Sequence, residues 1–377
     1  KREGDYRNIR NSIGMFDMLK GIGMLVVVLG HTVSDYIGQI MSASIGAGII
    51  FSLIFSIMGA IVIPMFLIIS GYGFRKRPVK KCIRQQIRLM LKPYLCVMAV
   101  TTVLFLCVHY ACFRYLPASL TETVRVFGGF LFALPEPMEL FQFNFFSCGV
   151  VWYIVALFLG WMILDILMNC VPEQRLTSAV LCIVLIGWAM SLYSNLPFCL
   201  VQGFVAAGYL YLGYKIKKKK IFFLKLPIWV RVAIALSFLA EIGIIAESGS
   251  VDNVASASWA LGPIGILFNG WLAWAAVYVC LPLNQKENFL FRVLRVIGRN
   301  SLHIFCIHTI ELVVIPWYLI LPEAAPWMRC IVMLLLRTLL ISGVCVMINY
   351  GKIMLPSRRK RKMFRSVSYT HLTLPTT

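Results

Sequence analysis

Long apolar runs alternate along this chain with short polar connections, most of them basic. Each run is longer than a half-buried strand or a soluble amphipathic helix requires. Ten such runs are predicted as membrane-spanning helices, over residues 17–36, 47–74, 93–113, 149–168, 176–193, 196–214, 227–246, 259–281, 300–321 and 330–350. Eight Lys or Arg crowd into 75–92. The connection 114–145 holds the apolar, glycine-containing piece VFGGFLFAL, expected to be re-entrant or interfacial. In 282–299, Phe289, Leu290, Val293, Leu294 and Ile297 recur at helical spacing among Arg292, Arg295 and Arg299, the signature of an amphipathic surface helix. No fixed-period repeat and no separate soluble domain interrupts the pattern.

Composition turns this pattern into a class. Hydrophobic residues make up 60% of the 377 and mean hydropathy is +0.83, more apolar surface than a soluble fold of this length can hide. An all-α polytopic membrane bundle follows. The net charge of +21 would fit a nucleic-acid binder, but only 14% of residues are charged and they fall between spans, so they mark the cytoplasmic face instead. With the amino terminus inside, all but four of the 36 Lys and Arg fall at the inner level, the exceptions being Arg114, Arg125, Arg329 and Arg337. Both ends of the bundle are then cytoplasmic. Twelve cysteines lie scattered, without a CxxC and mostly inside apolar spans, and read as small hydrophobes rather than as a disulfide frame or a metal site.

The ends need separate treatment. The chain opens on Lys1, so its natural start is expected upstream, and the first span follows a basic segment and is long enough to stay as an anchor. Residues 351–366 read as a basic cytoplasmic tail. From Val367, VSYTHLTLPTT resembles read-through of a sequencing adaptor and is set apart from the fold, His371 with it.

Candidate chemistry concentrates in the first span, FDMLKGIGMLVVVLGHTVSDY. Lys20 and His31 are separated by about 16 Å along a helix with a mismatch of only about 20° around it, so they share a face. Ionisable groups inside a bilayer are costly and usually functional. An anionic nucleotide head held at Lys20 would let a long arm, such as that of coenzyme A, reach His31, which could take a proton from an acceptor hydroxyl. The alternative is a buried, hydrogen-bonded packing histidine, and spacing alone does not choose. Asp35, four residues on, either orients the His31 ring or simply ends the helix. Asp17 and Lys20 are placed for a local ion pair. Ser70 and Gly71, in SGYG at the end of the second span, are site lining or small-residue packing. In the ninth span Asn300, Ser301, His303, His308 and Glu311 bring unusual polarity into one helix, with His308 and Glu311 facing one cavity. Arg337 needs an anion in the membrane, with Glu311 or Glu241 as the natural partner. Trp152 and Tyr153 line an acceptor path or serve as interfacial aromatics.

FDMLKGIGMLVVVLGH, FLIISGYGF, the basic run ending RLMLKPY, VVWYIVAL and IGRNSLHIFCIH together resemble the bacterial acyltransferase 3 family of integral membrane acyltransferases. The resemblance implies one transmembrane acyltransferase domain over 1–350. It also implies transfer of an acyl group, usually acetyl, from cytoplasmic acetyl-CoA or another acyl-CoA to a hydroxyl of a cell-surface saccharide, without a metal. The family's basic residue and histidine on the first span correspond to Lys20 and His31, which raises the functional reading of His31 above the packing one. Its R-x-x-R after the second span is absent here. The nearest cations are Lys81, Arg84 and Arg88, of which Arg84 and Arg88 share a helical face. The expected partners are acyl-CoA, a saccharide acceptor and the lipid bilayer, not nucleic acid. The rival class is a transporter of a glycan, acyl group or small anion, in which the same ionisable residues form a pathway; no inverted repeat with broken helices is evident for it.

The charge asymmetry predicts that a reporter active only in the cytoplasm works when fused after Arg361 and fails when inserted within 114–145. The reverse pattern in a fusion assay would invert the orientation.

Overall fold

The computed structural model describes residues 12–36, 46, 57–193, 195–248, 252–285, 287–321 and 324–354. The first part of the predicted second span, Lys286 and the tail from Leu355 onward lie outside the described residues. The chain runs through α1 (Asp17–Ser34), α2 (Ile63–Tyr72), α3 (Val79–Gln86), α4 (Lys92–Phe113) and α5 (Leu116–Leu131). A two-stranded antiparallel hairpin follows, β1 (Met138–Leu140) with β2 (Phe143–Phe145), pairing Met138 with Phe145. Then come α6 (Trp152–Cys170), α7 (Glu173–Ser191), α8 (Leu200–Lys218), α9 (Ile228–Ser248), α10 (Pro263–Cys280), α11 (Phe289–Arg299), α12 (Ser301–Val314) and α13 (Pro326–Met354). Pro64, Pro93, Pro117 and Pro263 each sit in a first helical turn, where the missing N–H costs nothing.

Among the described residues, seven helical stretches are long and apolar enough to cross a bilayer, and Gly59–Tyr72 and Ser301–Val314 are shorter apolar helices. The predicted sixth span is α8, whose small residues and terminal lysines hold its hydropathy down. Two connections differ from the simplest expectation. The basic run is helical and continues through a π turn, Ile87–Leu91, so that Val79–Phe113 is one apolar-ended rod. It can be helical because Lys80, Arg84, Arg88 and Lys92 recur every fourth residue on an exposed face, while Cys82 and Gln86 turn inward. The segment after α4 reverses at Arg114, in the left-handed region at φ 54°, and forms α5 and the hairpin. The Tyr94 hydroxyl donates to the Phe130 carbonyl and ties α5 to α4.

Small residues set the packing, as expected where lipid removes most of the hydrophobic drive between helices. A side chain at Gly213 of α8 would collide with the Ile68 carbonyl of α2. On another face of α8, Ala206 and Ala207 abut Gly160 of α6. The amphipathic helix α11 starts at Asn288, whose side chain accepts the Phe291 N–H at 3.0 Å. It lays Leu294 and Gly298 against the first turns of α1, where a side chain at Gly298 would strike the Asp17 carbonyl. Phe289, Leu290 and Val296 remain exposed on its other side, an interfacial placement.

Gly213→Val therefore forces backbone apart and is expected to cost about 1–3 kcal/mol or to abolish a monodisperse peak in detergent chromatography. Gly343→Val, where nothing stands within 4 Å of an added Cβ, should leave the peak unchanged.

Candidate functional site

The first turn of α1 is held electrostatically. Buried Asp17 accepts from Lys20 Nζ at 3.1 Å and from Arg299 Nε, at the end of α11, also at 3.1 Å. The local pair thus forms, with a second cation that sequence spacing did not indicate. Lys20 lines a cavity of about 410 Å³ that reaches Met24 one turn further along α1. Phe66 and Ser70 of α2, Tyr153 of α6, and Ser301 and Phe305 of α12 form other walls. Ser70 Oγ accepts the Trp161 indole N–H at 3.0 Å, so this hydroxyl is engaged by packing. Tyr153 contacts both Phe66 and Phe305 edge-on. Leu89 and Met90 complete the wall from the basic rod.

A second cavity of about 550 Å³ lies at the other end of the same helices. Asp35 and Tyr36 line it after α1, Leu312 to Val314 from α12, and Arg337 from α13. His109 and Glu122 of the α4–α5 pair, together with Trp317, Tyr318 and Arg329, add polar and aromatic surface.

Between the two cavities stand His31 and His308. Their ring centroids are 5.5 Å apart with planes at 56°. On α12 the gap between Phe305, in the first cavity, and Leu312, in the second, is about 10 Å of helix. His308 is fully buried. Its Nδ1 lies 2.7 Å from Glu311 Oε1, a pairing in which the carboxylate accepts from an Nδ1–H. No described residue hydrogen-bonds the His308 Nε2. Glu311 Oε2 accepts the Trp317 indole N–H at 2.6 Å and faces Arg337 Nε at 3.6 Å. Arg337 donates from Nη2 to Asp35 Oδ2 at 2.7 Å and from Nη1 to Thr32 Oγ1 at 3.1 Å. Its guanidinium sits 5.1 Å over the Trp317 ring. Asp35 is thus held by Arg337 while His31 meets His308. Arg337 has Glu311 as one partner, as anticipated, and Asp35 as the other, while Glu241 is not in the network.

The fold brings His31, Asp35, His308 and Glu311 together, and separately gathers Lys20, Ser70, Tyr153 and Ser301 around the first cavity. Other candidates stand elsewhere. Gly71 packs against the Leu210 carbonyl of α8, and Trp152 is buried with its carbonyl facing Cys199 Sγ. Asn300 joins α11 to α12, its Nδ2 donating to the Val296 carbonyl at 2.9 Å. Lys81 is exposed. Arg84 and Arg88 line a distinct groove of about 470 Å³ with Lys80 and Lys92. Sequence reasoning missed Thr32, Arg299, Trp317, His109, Glu122 and Arg329. A histidine inside the third span was a signal for His109; the roles of the others depend on which distant segments the fold brings beside them.

A family profile described as an acyltransferase domain matches residues 13–349. No curated protein and no solved structure matches the chain.

Removing Arg337 leaves Glu311 buried without its cation, and Arg337→Ala should lower stability by about 3–5 kcal/mol. Thermal unfolding in detergent reads the loss, with Thr32→Val as a milder comparison that removes the bond Thr32 Oγ1 accepts from Arg337 and the one it donates to the Val28 carbonyl but leaves both charges paired.

Proposed function

Since the chain belongs to the acyltransferase 3 family, whose members are membrane acyltransferases, we propose that it moves an acyl group, acetyl foremost, from cytoplasmic acyl-CoA to a hydroxyl of a cell-surface or exported saccharide at the cell membrane. The observation that carries this reading is the placement of His31 and His308 between two cavities that open toward opposite ends of α1 and α12. A reaction across a bilayer needs a donor on one side, an acceptor on the other, and the proton-handling group between them.

The donor enters from the basic side. Its acyl-pantetheine arm lies in the largely apolar first cavity past Lys20, and its nucleotide phosphates are met by Lys20 and by the cations of the rod, Arg84 and Arg88 foremost, with Lys81 an outlying helper. The acceptor sugar lies in the second cavity, where carboxylates, a guanidinium and the Trp317 and Tyr318 rings suit a hydroxyl-rich ring with apolar faces. His31 takes the proton from the acceptor hydroxyl as the oxygen attacks the thioester carbon. The C–S bond then breaks, the ester C–O bond remains, and the coenzyme A thiolate recovers the proton. His308, fixed by Glu311 and Arg337, sets the position of the His31 ring. Asp35 holds the guanidinium at the acceptor end. Direct transfer is the simpler course, since Ser70 is tied to Trp161 and lacks a base beside it. Family membership favours this chemistry over the transporter alternative.

Membranes incubated with labelled acetyl-CoA and surface glycans should show transfer by the wild type and a fall of about 10²–10⁴-fold for His31→Ala, with the protein still monodisperse. Undiminished transfer by that variant would overturn the mechanism. The double variant Arg84→Ala, Arg88→Ala should raise KM for acyl-CoA while leaving KM for the acceptor unchanged.

A further inference from the structure

On the side of α8 away from α2, a crevice of about 260 Å³ lies between α7, α8 and α10. Its walls are apolar side chains, among them Val180, Val184, Val205, Leu212 and Ile266. Two glycines keep it open: a side chain at Gly208 would meet Val184, and one at Gly270 would meet the Tyr209 ring. From Val205 to Lys215 along α8 it extends for about 15 Å, the hydrocarbon depth of one leaflet. Only the end nearest the basic side is polar. There Thr177 and Tyr211 satisfy each other through a 2.7 Å hydrogen bond, and Lys215 Nζ stands 5.4 Å from the Tyr211 ring centroid. The neighbouring Lys218 is taken by Glu173. Lys219 and Lys220 follow in the chain, while Lys217 turns the other way, its Nζ 5.7 Å from the Tyr72 ring centroid on α2.

We propose that this crevice is a binding site for one phospholipid with an anionic head, its chain lying against Gly208 and Gly270 and its phosphate at Lys215. An acyl chain is the apolar partner of matching length that the surroundings supply. Lys215 at the mouth selects negative over zwitterionic heads, as basic groups at the cytoplasmic ends of membrane helices do. The crevice is separated from both cavities of the candidate site by α8 and its packing on α2 and α6. The proposal is therefore independent of the acyl-transfer reading.

The test uses the full chain reconstituted in nanodiscs of equimolar phosphatidylglycerol and phosphatidylethanolamine, released and weighed by native mass spectrometry. The wild type should retain one phosphatidylglycerol in preference to phosphatidylethanolamine. Lys215→Gln should reduce that preference by about fivefold, and Gly208→Leu should abolish retention of either lipid at this site. Lys219→Gln, which removes the same charge outside the crevice, should change little. If Gly208→Leu fails to give a monodisperse protein, Lys215→Gln against Lys219→Gln still decides. Equal retention of the two lipids by the wild type, or an equal loss in both lysine variants, would overturn the proposal.

Discussion

A guanidinium buried among membrane helices must be matched by anions at hydrogen-bonding distance, and Arg337 imposes that condition on three segments at once. Its fork reaches Asp35 and Thr32 at the end of α1, Glu311 on α12 and the face of Trp317 beyond it. The desolvation penalty of such a group is met only if all of these converge. The register of α1 against α12 follows from that convergence. The same register sets His31 beside His308.

The histidines in turn lie between the two cavities and line neither. The first cavity is apolar along most of its wall, with a cation at its mouth, and the second mixes carboxylates, a guanidinium and aromatic rings. Two spaces of different chemistry thus flank one pair of imidazoles. Arg299 and α11 hold the first turn of α1 in place through Asp17, as Arg337 does at its last turn through Asp35. Both ends of the catalytic candidate helix are therefore clamped by arginines from the last third of the chain.

Around this centre, α8 acts as the packing spine. Its small residues let α2 and α6 approach until backbone nearly touches backbone. They also leave a gap toward α7 and α10, where the crevice forms. A helix built for contact on several faces cannot also carry the large apolar side chains that raise hydropathy, which is why α8 is absent from the long, strongly apolar stretches.

Much of the architecture was legible in the sequence because a bilayer enforces simple rules: apolar length marks spans, and Lys and Arg mark one side. The stacking of Lys20 below His31 was legible because helix geometry is periodic, and so were the pair Asp17 with Lys20 and the shared face of His308 and Glu311, though not their hydrogen bond. The acyltransferase resemblance was readable from short blocks in chain order. What spacing could not tell was which distant helices meet. Whether Arg337 turned to Glu241 or Glu311, the capture of Asp35, the second clamp by Arg299, and the placing of Arg84 and Arg88 in a groove of their own depend on contacts between residues remote in the chain. Those contacts are chosen by close packing at glycines and by the pairing demanded of buried charge. Sequence periodicity fixes the face of a helix, but only tertiary structure decides what that face meets.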